Sequence, residues 1–521
     1  MTSTNLDEKR LPSEDDAKAE NEFHEGIDGY EGTSDDPDAG LSDEERAAID
    51  KKLIRQLDLR LIPWVQVILF ERMADMLIIQ AFLPVFNFFL GSVRNAKIDG
   101  LVTDLHMTNN QYNITLTVFF ISYALFEPLT NVLLKKLRPS IFIPAIMVLW
   151  GIVMVCMGLT HNFAGMVTAR FFLGLAEAGL FPGVNYYLSC WYKRSEFGIR
   201  AAVFFSAAAF AGSFGGLLAA AIAKMRGIGG KPGWAWIFIL EGLATVIVGI
   251  ISYWMVFDFP DNATFLSPID RARVIRRLKA DNQSSAEHEE FRMAYFWASV
   301  KDWKTWCFAI IYMGADGALY AFSLFLPSII SQLGYKATKA NLLSVPPYAA
   351  AAIVTIAAGW YADKTGRRGL TNICISISGI VGFSMLLGST QPGVKYAGTF
   401  LGAMGIYPCI ANTISWASNN VEGVYKRGVT LGFVIGWGNL NGVVSSNIYR
   451  QSDSPRYLPG HGTVLAYLVL FLFGGSIMTT TLLRSENKKR LEGKRNDWIA
   501  GKSPYEIEML GDRRPDFRYI V

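Results

Sequence analysis

The sequence predicts an all-α membrane protein of twelve transmembrane helices in two six-helix bundles. Three observations carry this. Apolar runs near the ~20 residues that a spanning helix needs recur along the chain. Six of them precede one long charged segment and six follow it, and clusters of Lys and Arg come after every second run. Of 521 residues, 51% are hydrophobic and 18% charged, short of the roughly one quarter charged in soluble proteins. Most of the chain is therefore expected to face lipid or other apolar helices. The net charge of +4 is too small and too scattered to point to nucleic acid.

Residues 1–58 form an acidic tail rich in Gly and Ser and poor in large apolar side chains, expected to be disordered and cytoplasmic. Near its end, from Ser42, SDEERAAIDKKLIRQLD reads as a capped amphipathic helix. An N-terminus this polar shows no cleavable signal peptide, so targeting is expected to fall to the first spanning helix. The N-terminal bundle, 59–257, opens with an apolar stretch at 59–90 and continues with runs near 113–134, 141–160, 163–188, 200–223 and 234–257. A polar central loop, 258–304, follows. Runs near 305–331, 342–362, 370–389, 395–415, 428–448 and 463–483 make the C-terminal bundle, 305–484, before a basic tail, 485–521.

The basic clusters orient these spans. Lys135, Lys136 and Arg138, then Lys193, Arg194 and Arg200, then the central loop, Lys364, Arg367 and Arg368, and Lys426 with Arg427 all follow even-numbered spans. Lys224, Arg226 and Lys231 make the other side less clean. Cytoplasmic loops carry the excess of Lys and Arg, which puts both termini and the central loop in the cytoplasm. Cys156, Cys190, Cys307, Cys374 and Cys409 lie in or beside apolar segments without a C-x-x-C pair. They read as small buried residues, with neither a disulfide framework nor a metal site.

The two halves resemble each other. The second span runs out through NVLLKKLRPS (131–140) and the eighth through GWYADKTGRR (359–368), two basic turns at the same place in a six-helix unit. Parallel repeats of this kind mark many transporters, with substrate held near midplane between the halves. Twelve spans split six and six, with GWYADKTGRRG after the eighth, resemble the major facilitator superfamily. In that family the motif is a gating element. The resemblance implies that Gly359 lets the eighth span approach a neighbour, that Asp363 pairs with a basic group or caps the next helix, and that Arg367 and Arg368 hold the cytoplasmic end. An ordinary basic turn is the competing reading.

Three further stretches are similar to the family's anion:cation symporter branch: YALFEPLTNVLLKKLRPS (123–140), ARFFLGLAEAGLFPG (169–183) and LGDRRPDFRY (510–519). Within it they resemble fungal allantoate permease-type carriers, with nicotinate transporters nearest, and the resemblance covers nearly everything after Arg94. It implies a monomeric plasma-membrane carrier without cofactor or enzymatic activity. Its partners would be the lipid bilayer, protons and a small organic anion (nicotinate, allantoate or another carboxylate), taken up by alternating access. Export of a metabolite by the same fold is one alternative. A nutrient-sensing, transporter-like receptor is another, against which the modest C-terminus argues.

Ionisable residues inside apolar runs are costly and face a cavity or a partner. Arg170 and Glu177 lie seven residues apart in the fourth span and so share one helix face. A guanidinium suits a carboxylate substrate because it keeps its charge and binds bidentately. A desolvated carboxyl suits proton exchange. A structural ion pair is the alternative. Glu127, ahead of Pro128, and Asp316 are further candidate proton carriers. Asn185, Tyr186, Tyr320, Asn412, Trp416, Asn439 and Asn441 are candidates for substrate contact or for joining helices. GIGGKPG (227–233) lacks the leading Gly and trailing Ser or Thr of a P-loop. No histidine lies mid-helix to serve a proton relay. The sequons at Asn113, Asn262 and Asn282 lie beside the membrane or in the central loop, where glycosylation is not expected.

The first span departs from the family pattern. Its N-A-K-I stretch stands at Asn95–Ile98, but Glu71–Val93 intrudes before it, and by spacing Asp75 occupies the family's Asp position with Met76 where Arg is expected. Glu71, Arg72 and Asp75 near midplane would cost about 2.5–3.5 kcal/mol each on the insertion scale. The segment is either a genuine divergence or retained intron sequence.

Overall fold

The computed structural model describes residues 37–38, 40–69, 96–97, 99–281, 293–331, 337–449, 453, 456–503, 506–507 and 510–521. Glu71, Arg72, Asp75 and the rest of the Glu71–Val93 segment lie outside the described residues, as does the acidic tail up to residue 36. Helix α1 (Asp43–Leu69) starts where the cap predicts. The Glu45 N–H donates to the Ser42 hydroxyl at 3.3 Å, and the Ser42 N–H donates to the Glu45 carboxylate at 2.9 Å, a reciprocal capping box.

Among the described residues every regular element is helical. Before the central segment stand α2 (Asn109–Leu137), α3 (Pro139–Met157), α4 (Phe163–Glu177), α5 (Leu180–Ser189), α6 (Arg194–Ile222) and α7 (Gly233–Met255). The central segment contributes α8 (Pro268–Ala280) and α9 (Met293–Val300). After it come α10 (Trp303–Ser331), α11 (Ala337–Thr365), α12 (Arg368–Gly388), α13 (Pro392–Asn419), α14 (Val424–Asn439), α15 (Asn441–Ser445), α16 (Leu458–Ala466) and α17 (Gly475–Leu491). A π-helical turn, Tyr467–Gly474, joins the last two. Seven stretches of the described chain are long and apolar enough to cross a membrane: α3, the α4–α5 rod, α7, the first part of α10, the last part of α11, α12, and α16 through α17.

Local chemistry sets the ends. Thr108 opens α2 by accepting the Gln111 N–H at 3.2 Å, while the Gln111 side chain accepts the Thr108 N–H at 2.8 Å. Asn162 opens α4 by accepting the Gly165 N–H at 2.8 Å. Pro139 stands at the first position of α3, where a missing N–H leaves no bond unmade. On α2, Ile121, Leu125, Leu129, Leu133 and Leu137 recur every fourth residue and are exposed, a continuous apolar stripe fit for lipid. Cys190, Cys307 and Cys409 are buried, whereas Cys156 and Cys374 face outward. Their burial was expected, but on a lipid-facing surface an apolar residue gains nothing by turning inward.

Lipid removes the hydrophobic drive for helices to pair, so close backbone approach matters more. Helices α3 and α7 meet at Gly151 and Gly242: a Cβ on either would fall 2.8 and 2.7 Å from the other's carbonyl oxygen. The elements before and after the central segment meet mainly along α6 with α11 and α13, and along α2 with α14. Both terminal segments and α8 gather at one end of the bundle, here called the terminal end. There Asp38 pairs with Arg273 at 2.8 Å and Arg276 at 2.7 Å, Asp50 with Arg277 at 3.0 Å, and Asp58 with Arg200 at 2.7 Å.

Candidate functional site

Arg170 and Glu177 share the buried face of α4, 1% and 5% exposed, as their spacing requires. Helix α4 comes this near α2 because Gly174 has no side chain. A Cβ there would run into the Ser122 hydroxyl and lie 2.5 Å from the Phe119 carbonyl oxygen. The Phe119 ring centroid stands 6.0 Å from the Arg170 guanidinium carbon. Glu177 lies within the electrostatic reach of Arg170, and its Oε2 is buried without a hydrogen bond among the described residues. The fourth predicted span then breaks, and Gly179 in the break lies so near α2 that a Cβ would stand 2.8 Å from that of Thr130.

Glu127 is buried on α2, on the side away from the leucine stripe. Its Oε2 accepts from the Asn439 side-chain amide at 2.7 Å, and the Asn439 oxygen accepts from the Tyr320 hydroxyl. This bridge runs from one half of the chain to the other. Glu127 Oε1 and Asp316 Oδ2 are buried and make no hydrogen bond among the described residues. Tyr320 follows Asp316 by one turn on α10, and its ring packs on Phe120 of α2 at 4.8 Å. Two carboxyls read separately from sequence, Glu127 of α2 and Asp316 of α10, thus come to one junction on α14.

The eleventh predicted span breaks at this bridge, between α14 and α15, within GWGNLNG (436–442). A Cβ on Gly436 would fall 3.3 Å from Glu127 Oε2, and one on Gly438 would fall 3.3 Å from Asp316 Oδ2 and strike the Tyr312 ring. Gly442 likewise admits Phe120. Asn441 accepts from the Tyr467 hydroxyl at 2.9 Å. Sequence reasoning missed Tyr312, Phe120 and Tyr467. The signal for Tyr312 was present, since Tyr312, Asp316 and Tyr320 repeat every fourth residue and so stack on one face of α10.

The remaining candidates stand elsewhere. At the terminal end, Asp363 accepts the Ile199 N–H of α6 at 2.6 Å and pairs with Arg368. Gly359 packs so tightly that a Cβ would meet Ala202. The Arg194 carbonyl accepts from Arg368 Nη2 at 3.4 Å and from the Asn419 amide at 2.9 Å. Asn412 donates to the Arg368 carbonyl and to Asn372 Oδ1, both at 2.8 Å, and Trp416 Nε1 donates to the Ile520 carbonyl at 2.8 Å. Asn412 and Trp416 therefore bond within the second half and its tail, beside the contact of Arg368 and Asn419 with Arg194, and these bonds do not reach Arg170. Arg367 is exposed and stands outside these contacts. Asn185 donates to the Phe181 carbonyl of its own helix at 2.8 Å. Tyr186 packs on Phe259 with ring centroids 6.1 Å apart, and closely on Gly428 of α14. Tyr186 thus packs α5 against α14 and Phe259, while Asn185 bonds within α5. Among the described residues no group of three or more His, Cys, Asp or Glu is placed to hold a metal ion.

Comparison with known proteins adds to this geometry. Residues 73–446 match the Major Facilitator Superfamily. The chain is 33% identical over 463 residues to the MFS transporter prlL of Fungal sp. (strain NRRL 50135), covering 85% of this chain and 90% of that one. It is 30% identical over 477 residues to the high-affinity nicotinic acid transporter of Saccharomyces cerevisiae, covering 91% and 85%. Among solved structures it is similar in fold to the proton:xylose symporter XylE bound to 6-bromo-6-deoxy-D-glucose, with a TM-score of 0.58 at 11% identity over 83% of this chain and 96% of that one.

Proposed function

The chain belongs to the major facilitator superfamily of membrane transporters, and we propose that it takes up a small organic anion together with protons by alternating access. One observation carries this reading: Arg170 and Glu177 are buried on one face of a spanning helix, and that helix packs on α2, where Glu127 is buried at the junction of the two halves. A guanidinium keeps its charge at that depth and presents a fork that fits a carboxylate. The aromatic rings of Phe119, Phe120 and Tyr320 suit a flat apolar body attached to that carboxylate. The likeness to a nicotinic acid transporter, whose cargo is an aromatic carboxylic acid, supports the same substrate class.

In this reading the anion docks on Arg170 and screens it from Glu177. Glu177, no longer stabilised by the full cation, then takes a proton, so anion and proton are bound together. Glu127 and Asp316 are the further proton sites. Protonating Glu127 weakens its charge-assisted bond to Asn439, which frees the two halves to rock. The Asp363–Arg368–Arg194 latch is the gate at the terminal end, which the excess of Lys and Arg assigns to the cytoplasm. Two six-helix bundles, 59–257 and 305–484, would be the rocking bodies of a monomer in the plasma membrane.

The test is uptake of radiolabelled nicotinate, allantoate and other small carboxylates, with and without a proton gradient. Accumulation that collapses with the gradient is expected. Equal uptake in both conditions would remove proton coupling, and uptake of none of these acids would remove the substrate class.

A further inference from the structure

The motif LGDRRPDFRY takes no part in the surroundings of Arg170, yet it is firmly held. Asp512 is buried and accepts from Lys426 Nζ at 2.6 Å and from Lys304 Nζ. Asp302 completes a quartet, 3.1 Å from Lys304 and 3.0 Å from Lys426. Lys304 stands at the start of α10 and Lys426 at the start of α14, so Asp512 ties together the helices that carry Asp316 and Asn439. Arg490, at the end of α17, donates to the carbonyls of Asp512, Arg514 and Phe517 at 3.0, 3.1 and 2.8 Å. Further on, the Ile520 N–H donates to Asn420 Oδ1 at 2.8 Å, and its carbonyl accepts from Trp416 Nε1 and Asn420 Nδ2.

All of these anchors belong to the second half. Between them the tail carries Phe517, 1% exposed, against the first half: its ring centroid lies 5.1 Å from the guanidinium carbon of Arg194. Arg194 is the residue on which the latch closes, since its carbonyl accepts from both Arg368 and Asn419. Its N–H donates to Asp281 at 2.6 Å, which ties it to the central segment as well. A tail needed only to stabilise the second half would not have to cross to the first at this residue.

We propose that the C-terminal tail is a third arm of the terminal-end latch, with Phe517 a positioning residue that holds Arg194 where Arg368 and Asn419 can reach it. The inference rests on the reading of that latch as a gate. Opening the terminal end pulls Arg194 away from Phe517, so the contact opposes opening and sets how often the end opens.

Hydrogen–deuterium exchange on the full chain in lipid nanodiscs tests this, with the start of α6 (194–202) as the reporter. Phe517→Leu keeps an apolar side chain, of smaller volume, and removes the ring face. It should speed exchange at 194–202 by about two- to thirtyfold, the range of a cation–π contact from exposed to desolvated sites, while leaving exchange in α10 and α14 unchanged and lowering the melting temperature only slightly. Phe517→Trp should restore the slow exchange. Wild-type exchange in Phe517→Leu, or loosening spread evenly over α10 and α14, would overturn the proposal. Asp363→Asn separates the two levels. Fast exchange in Asp363→Asn with none in Phe517→Leu sinks the tail's role alone. Unchanged exchange in both sinks the gate reading together with it.

Discussion

At the scale of single residues, the charge pattern of α4 and the amide of Asn439 make different demands. Arg170→Lys keeps a cation but loses the planar fork. It should reach the membrane in normal amount and lose most of its affinity, read as a raised KM for carboxylate uptake. Glu177→Gln should keep exchange of labelled for unlabelled substrate and lose gradient-driven accumulation. Asn439 is a matter of bonding geometry. Asn439→Ala leaves Glu127 Oε2 and the Tyr320 hydroxyl buried without the partner each now has. Such losses cost about 1–3 kcal/mol per group, so the purified variant should melt clearly below wild type. Glu127→Gln keeps an acceptor oxygen for Asn439 and should melt close to wild type.

At the scale of elements, the interruptions at 178–179 and at 440 leave the backbone close to helical. Both are lined by glycines pressed against neighbouring side chains or backbone. Gly174→Ala is the sharper test of this packing, because its methyl would stand 2.5 Å from a carbonyl oxygen of α2 that cannot swing aside. Overpacking of this kind costs about 1–3 kcal/mol. The variant should show reduced yield and melting temperature, and weaker carboxylate binding as α4 moves Arg170 away from Phe119. Gly388→Ala, where nothing lies within 4 Å of the added carbon, is the matched control and should be neutral. The helices themselves were legible in the sequence as apolar runs of spanning length. The interruptions at 178–179 and 440 were not read, although Gly179 with Pro182, and the Gly and Asn residues of GWGNLNG, are residue types that favour them.

At the scale of the molecule, the tail quartet sets a pH dependence. Burial raises the Asp512 carboxyl, but Lys304 and then Lys426 more than offset it and hold the group well below the usual carboxylate range. A depressed carboxyl contributes stability that is full above its unfolded pKa of about 3.9 and fades as pH falls through the lower folded value. The quartet should therefore leave stability flat from pH 5 to 8. Asp512→Asn should lower the melting temperature at pH 7, because removing one partner leaves buried ammonium charge less compensated. The gap from wild type should narrow only in strong acid. A gap that is constant down to the lowest pH at which the protein stays soluble would mean that Asp512 acts by packing and not by charge.

The sequence by itself determined that the chain is a helical, multi-pass membrane protein, because lipid imposes apolar length directly on the order of residues. It also determined that Arg170 and Glu177 share a face, since a seven-residue spacing is a property of one helix. Only the tertiary structure decided that Glu127, Asn439 and Tyr320 form one bridge, that Asn412 bonds to Arg368 and Trp416 to the tail, and that Phe517 rests on Arg194. Each of these pairs joins residues tens to hundreds of positions apart. Periodicity records which face a side chain takes on its own helix, whereas the partner it meets there depends on how helices far apart in the chain are packed.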